Sequence, residues 1–213
     1  MRAVARATKQ NRRVPAPLTV LRPLPFVPEI SLFLADSSAG LFDAAGGEFH
    51  SDEPPPFWAF AWAGGQALAR YLLDHPETVA GRRVHDLATG SGVAAVAAAK
   101  AGAADVSATD LDPASVAAAQ RNAAANNVTL REESPGEPDV LLAGDVFYSP
   151  TVAAEMTQRL REARRESIEV LVGDPGRGYF PDRLFERVAE YSVPVPPALE
   201  ESETLITAVW RMR

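Results

Sequence analysis

At 213 residues, with 46% hydrophobic and 23% charged residues, the chain has the composition of a soluble globular protein, long enough for one domain with a sizeable core. The absence of cysteine excludes a disulfide framework, a thiolate metal site and a cysteine nucleophile, and it fits a reducing compartment. A formal net charge of -7 argues against nonspecific nucleic-acid binding, no apolar run is long enough to cross a bilayer, and His50, His75 and His85 lie at no metal-ligand spacing.

Residues 1–28 contain six basic residues, five prolines and no acid, which predicts an extended or disordered arm rather than a helical presequence. Residues 29–213 then form a single domain whose first part, residues 29–80, is an aromatic cap. Glu29–Leu34 alternates as a strand does, and Ala35–Glu53, with Gly46 and Gly47, is loop-like. Phe57, Trp58, Phe60 and Trp62 precede a helix predicted over Gly65–Leu73 and stopped by Asp74-His75-Pro76. An aromatic cluster alone is more often core than ligand contact; its place just ahead of a glycine turn keeps both readings open.

That turn belongs to the stretch Arg83–Pro113, RVHDLATGSGVAAVAAAKAGAADVSATDLDP. A short buried strand ends at Asp86, Gly90 and Gly92 form the turn, Val93–Ala101 is an Ala-rich helix ended by Gly102, and Ala104–Thr109 is a second strand with Asp110 at its tip. The glycines permit a sharp turn and let a ligand approach main-chain N–H groups. A carboxylate at the tip of the second strand can accept both hydroxyls of a ribose. Asp112-Pro113 is as readily an N-cap and first residue of the helix Ala114–Ala125 as a ligand contact. Ala95 stands where a dinucleotide fingerprint wants its third glycine. Together with an acid on the first strand, this favours the cationic S-adenosylmethionine over NAD, whose pyrophosphate Asp86 would repel.

Val128–Leu130 is predicted as a third strand and Asp139–Ala143 as a fourth, leading into Gly144-Asp145-Val146-Phe147-Tyr148, where an acid and two aromatics face the same cleft. Thr151–Arg165 is a charged surface helix and Ile168–Val172 a fifth strand, followed by GDPGR, which lacks the Lys-Ser/Thr of a phosphate-binding loop. A helix over Pro181–Glu190 and strands over Ser192–Val195 and Thr204–Trp210 complete the chain. The fold class is α/β, a Rossmann-like three-layer sandwich.

FWAFAWAGGQALARYLLDHP, DLATGSG, ATDLDP, GDVFY and GDPGR, in this order, resemble the class I seven-stranded S-adenosylmethionine-dependent methyltransferases. Within them the resemblance is to the electron-transfer flavoprotein β-subunit lysine methyltransferase family, over about Pro28–Trp210. It implies a seven-stranded, mostly parallel sheet and S-adenosyl-L-methionine as cofactor, with S-adenosyl-L-homocysteine as product. Asp86, Gly90 and Gly92 would hold the methionine end and Asp110 the ribose. Trp62 and Gly64 would pack over the cofactor, with Gly65, Ala88, Thr89, Leu111 and Asp145 completing the cofactor-binding set.

Asp145 and Tyr148 match the family's acid and aromatic at the transfer site, with Phe147 and Trp58 as walls for the lysine stem. The implied partner is a protein with an exposed lysine, such as the electron-transfer flavoprotein β subunit, in a bacterial cytoplasm or, in a eukaryote, the mitochondrial matrix. Two departures from the family pattern are Ala88 in place of glycine and Ala63 in place of proline. The alternatives are a small-molecule, nicotinamide-like amine methyltransferase and a noncatalytic cofactor-binding module. A nucleic-acid amino-methyltransferase would show a (D/N/S)-P-P-(Y/F/W) tetrad where this chain has Asp145-Val146-Phe147-Tyr148.

Overall fold

A computed structural model describes residues 19–35, 56–195 and 202–213. Residues 1–18 of the predicted arm and most of the loop predicted over Ala35–Glu53 lie outside the described residues. Residues 19–28, assigned to the arm by composition, are folded. Strand β1 (Thr19–Pro23) pairs antiparallel with β2 (Ser31–Ala35), and Leu24, Val27 and Ile30 at the connection are buried.

The main sheet has four parallel strands, β3 (Arg83–Leu87), β4 (Asp105–Thr109), β5 (Val140–Gly144) and β6 (Glu169–Asp174). A hairpin of β7 (Phe185–Pro194) and β8 (Thr204–Met212) continues it, in the order β4-β3-β5-β6-β8-β7. Helices α1 (Ala63–Asp74), α2 (Val93–Lys100) and α3 (Pro113–Ala125) cover one face, and α4 (Pro150–Arg165) covers the other.

The period of two along each strand divides the core between these layers. Val140, Leu142 and Leu171 pack with α1–α3, whereas Leu141, Ala143, Val170 and Val172 pack with Ala153, Met156, Leu160 and Ala163 of α4. Strands covered on both sides must be apolar throughout, which is why VLLAG carries no alternation. The helix starts follow their caps: Asp112 accepts from Ala114 N at 2.9 Å ahead of Pro113, and Ser149 accepts from Val152 N at 3.3 Å ahead of Pro150. Asp112 is thus a cap.

Helix α1 begins two residues earlier than its sequence pattern predicts, and its first turn lies directly on the sheet. A β-carbon at Gly64 would sit 2.1 Å from Gly173 O, and one at Gly144 would sit 2.9 Å from Gly65 N. The glycines at 64, 65, 144 and 173 therefore serve a backbone-to-backbone contact between a helix and the ends of two strands.

Two expected elements differ. The third strand over Val128–Leu130 is reduced to one parallel bridge, Arg131 to Ser107, so among the described residues the sheet has six strands and a single bridge at the seventh position. Asn127 there is left-handed (φ 58°), and after Val128-Thr129-Leu130 the chain turns polar and reaches Pro135-Gly136, so the run of strand-forming side chains is too short for a longer pairing. Pro181–Glu190 forms a short 3-10 turn (Asp182–Leu184) and then β7 rather than a helix. A bulge between Arg187 and Ala189 shifts the alternation by one residue, and the resulting Phe185, Val188, Ala189 spacing imitates a helical face.

Candidate functional site

The carboxyl ends of β3, β4, β5 and β6 meet the turns where the sequence places its acids. Asp86, one residue before the end of β3, is only 2% exposed, and its Oδ2 accepts from Thr89 Oγ1 at 2.6 Å and Ala95 N at 3.2 Å. Ala95 is in the first turn of α2, whose N-cap residue, Gly92, has no side chain, so Asp86 supplies the cap from the sheet. Burial pushes the Asp86 carboxyl up to about 7, and the Asp110 charge adds to this, against the lowering effect of the Thr89 and Ala95 hydrogen bonds.

Asp110 fixes the turn from the neighbouring strand. Its Oδ2 accepts from Gly90 N at 3.0 Å and its Oδ1 from Asp112 N at 3.0 Å, while Thr89 N donates to Thr109 O. The turn is built from left-handed residues, Ala88 (φ 57°), Gly90 (φ 52°) and Gly92 (φ 80°). A cleft opens above it, lined by Trp62, Gly65, Asp86, Ala88, Thr89 and Gly90 among others. A larger depression of about 550 Å³ lies at the amino ends of β3, β5 and β6, where Arg83 pairs with Asp139 and Arg82 with Glu169.

An aromatic rim bounds the cleft. Trp62 caps the start of α1, donates from Nε1 to Phe57 O at 2.9 Å, and lies 5.9 Å from the Phe57 ring and 6.1 Å from the Phe60 ring. Phe57 in turn stands 6.1 Å from Tyr148, which is 54% exposed and whose hydroxyl is pushed up by burial and by Asp110. Four expected residues fall elsewhere. Phe147 is fully buried between Phe180 and Phe185 and cannot wall a substrate site. Trp58 packs on Ala35, Ala59 and Phe60, leaving Phe57 as the ring that faces Tyr148. Leu111 is 89% exposed, and Gly64 lies against Gly173 rather than lining the cleft.

Asp145 follows β5 in a left-handed conformation (φ 55°). Its Oδ2 accepts from Gly64 N at 2.5 Å and Gly65 N at 3.3 Å, and its Oδ1 accepts from Arg177 Nη2 at 3.1 Å. Burial raises its carboxyl, and the Arg177 charge and the two α1 amides oppose that rise. Asp174, at the end of β6, turns the chain by accepting from Gly176 N and Arg177 N, both at 2.7 Å, and so aims Arg177 at Asp145. Burial pushes Asp174 up to about 6. Sequence reasoning singled out GDPGR but gave Asp174 and Arg177 no role in the site; the available signal was an acid three residues before an arginine at the end of a buried strand.

Residues 67–146, which span the glycine turn and reach Asp145, match the family of ribosomal protein L11 methyltransferase (PrmA). Over 92% of this chain and 44% of its own, the Pyrococcus abyssi tRNA (uracil-54, C5)-methyltransferase, solved with S-adenosyl-L-homocysteine, superposes with a TM-score of 0.54 at 14% identity, which shows the class I methyltransferase fold. Electron transfer flavoprotein beta subunit lysine methyltransferase from Danio rerio is 40% identical over 74% of this chain and 66% of its own length. The Xenopus laevis protein of that name is 37% identical over 73% of this chain and 68% of its own. The chain spans about two thirds of the length of these curated relatives. Identity at that level over more than two thirds of both chains means that the chain belongs to the electron transfer flavoprotein beta subunit lysine methyltransferase family.

Proposed function

We propose that this protein is an S-adenosylmethionine-dependent protein-lysine N-methyltransferase, with the β subunit of the electron transfer flavoprotein as its substrate. The observation that carries the reading is the pair of acids at adjacent strand tips, Asp86 and Asp110, clasping a glycine turn under an aromatic rim in a chain 37–40% identical to lysine methyltransferases. The residues present fit the cofactor. Asp110 keeps unused lone pairs for ribose hydroxyls, Asp86 is an acid beneath the cleft for an ammonium, and Gly65 and Gly90 leave room for close approach. When bound, the cofactor supplies an electrophilic methyl group on a cationic sulfur.

The chain's own task is to present the amine. A free lysine, with a pKa of about 10.4, is mostly protonated at neutral pH, so the site must hold the side chain and let it lose a proton. Phe57, Trp62 and Tyr148 offer an apolar, cation-tolerant wall for the stem. Three of the roughly four lone-pair positions of Asp145 are taken by Gly64, Gly65 and Arg177; the remaining one, on Oδ1, would orient the incoming ammonium. The same carboxylate anchors α1 and thereby Trp62, so it also sets the rim.

The test is incubation with methyl-labelled cofactor and purified electron transfer flavoprotein, followed by mass spectrometry. Methyl-lysine on the β subunit, lost with Asp145→Asn while cofactor binding persists, is the expected result. Absence of label on that protein, with label appearing on a small-molecule amine, would overturn it.

A further inference from the structure

We infer that Asn122 is a positioning residue for the cofactor turn, and that through it the β1–β2 hairpin belongs to the cofactor-binding apparatus without touching the cleft. The inference rests on the cofactor reading above. Asn122, on α3, is fully buried. Its Nδ2 donates to Ser91 O at 2.8 Å and its Oδ1 accepts from Phe33 N of β2 at 2.7 Å. Ser91 sits between the two left-handed glycines of the turn and lines the cleft.

One helical turn earlier, Ala119 lies under the same turn: a β-carbon at Gly92 would be 2.7 Å from Ala119 Cβ. Helix α3 therefore sets the height of the turn through Ala119 and its orientation through Asn122. The residues on either side of Ser91 both have positive φ, so the Ser91–Gly92 peptide turns easily; its N–H is held within the turn by Thr89 O at 2.8 Å, and its carbonyl needs a hold from outside. The Asn122 amide is such a hold, and its other end is fastened to the hairpin.

Asn126 provides the internal comparison. It accepts from Ser31 N at 3.0 Å and donates to Ser31 O at 2.6 Å, so it ties the same hairpin to the same helix and makes no bond to the turn. Four residues of helix rise about 6 Å and two residues of strand about 6.8 Å, so Asn122 and Asn126 match Phe33 and Ser31 in register. A purely structural role would make the two asparagines equivalent.

The experiment measures amide hydrogen exchange of the wild-type protein with and without saturating S-adenosylhomocysteine, and calorimetric Kd values for Asn122→Ala and Asn126→Ala. Ligand binding should slow exchange of the Phe33 amide, distant from the cleft, along with the amides of residues 90–92. Asn122→Ala should weaken binding about tenfold, the cost of losing one buried hydrogen bond, and Asn126→Ala should leave Kd within about twofold. Ligand uptake with no change at Phe33, or equal Kd values for the two variants, overturns the inference alone. Failure of the wild-type protein to bind the ligand overturns the functional reading and this inference with it. If Asn122→Ala does not fold, the wild-type exchange result decides.

Discussion

Affinity for the cofactor should fall as pH drops below about 7, because Asp86 must give up a proton to meet an ammonium. Its carboxyl stands at about 7 in the free protein, roughly three units above the ordinary aspartate value of about 3.9. That difference corresponds to something on the order of 4 kcal/mol between its two protonation states. The sign for stability follows: a raised pKa contributes stability that is present below about pH 4 and lost as pH rises through 7, so the unliganded protein carries a buried charge at pH 8 that a bound cation relieves.

For binding, the affinity is divided by 1 plus ten to the power of pKa minus pH, which is about 1.1 at pH 8, about 2 at pH 7 and about 11 at pH 6. Titration calorimetry with S-adenosylhomocysteine should therefore show affinity about tenfold weaker at pH 6 than at pH 8, with about half a proton released at pH 7 when buffers of different ionisation heat are compared. Asp86→Asn keeps an acceptor for Thr89 and Ala95 and removes the charge; it should bind weakly with no pH dependence. Equal affinity at pH 6 and 8 without proton release would show that Asp86 does not meet the ligand's cation.

Ala88→Gly should raise stability by about 1 kcal/mol, seen as a higher Tm, because Ala88 is exposed and held at a positive φ that glycine adopts freely. Phe147→Ala and Tyr148→Ala should separate sharply: the first empties a fully buried site and should cost about 3–5 kcal/mol in denaturant unfolding, whereas the second should leave Tm nearly unchanged and depress methyl transfer. Gly64→Ala should yield little soluble protein, since the added carbon would meet a backbone carbonyl that cannot move without parting α1 from the sheet. A Gly64→Ala protein with wild-type Tm would refute the close packing.

The features that the sequence made legible are those set by local chemistry: the acids at strand tips, the glycine turn between them and the Asp112-Pro113 helix start. The choice between Phe147 and Tyr148 was not legible. Asp145 is left-handed, which breaks the alternation beyond the strand and sends the first aromatic into the α4 layer and the second to the rim. Asn122 was likewise invisible, since one polar residue in an alanine-rich helix looks like any solvated position until the hairpin is folded onto it. In β7 a single inserted residue changed the apparent period, and no neighbouring sequence marks that insertion.

The positive ends of α1 and α2 both open toward the cleft, and each is already met by a carboxylate from within the fold, Asp145 for α1 and Asp86 for α2. In a nucleotide-phosphate fold those amides await an anion. Here a polyphosphate would find its customary donors already engaged by carboxylates, so the pocket should select by charge before it does so by shape, binding ATP and dinucleotides poorly and a nucleoside with a positive centre well.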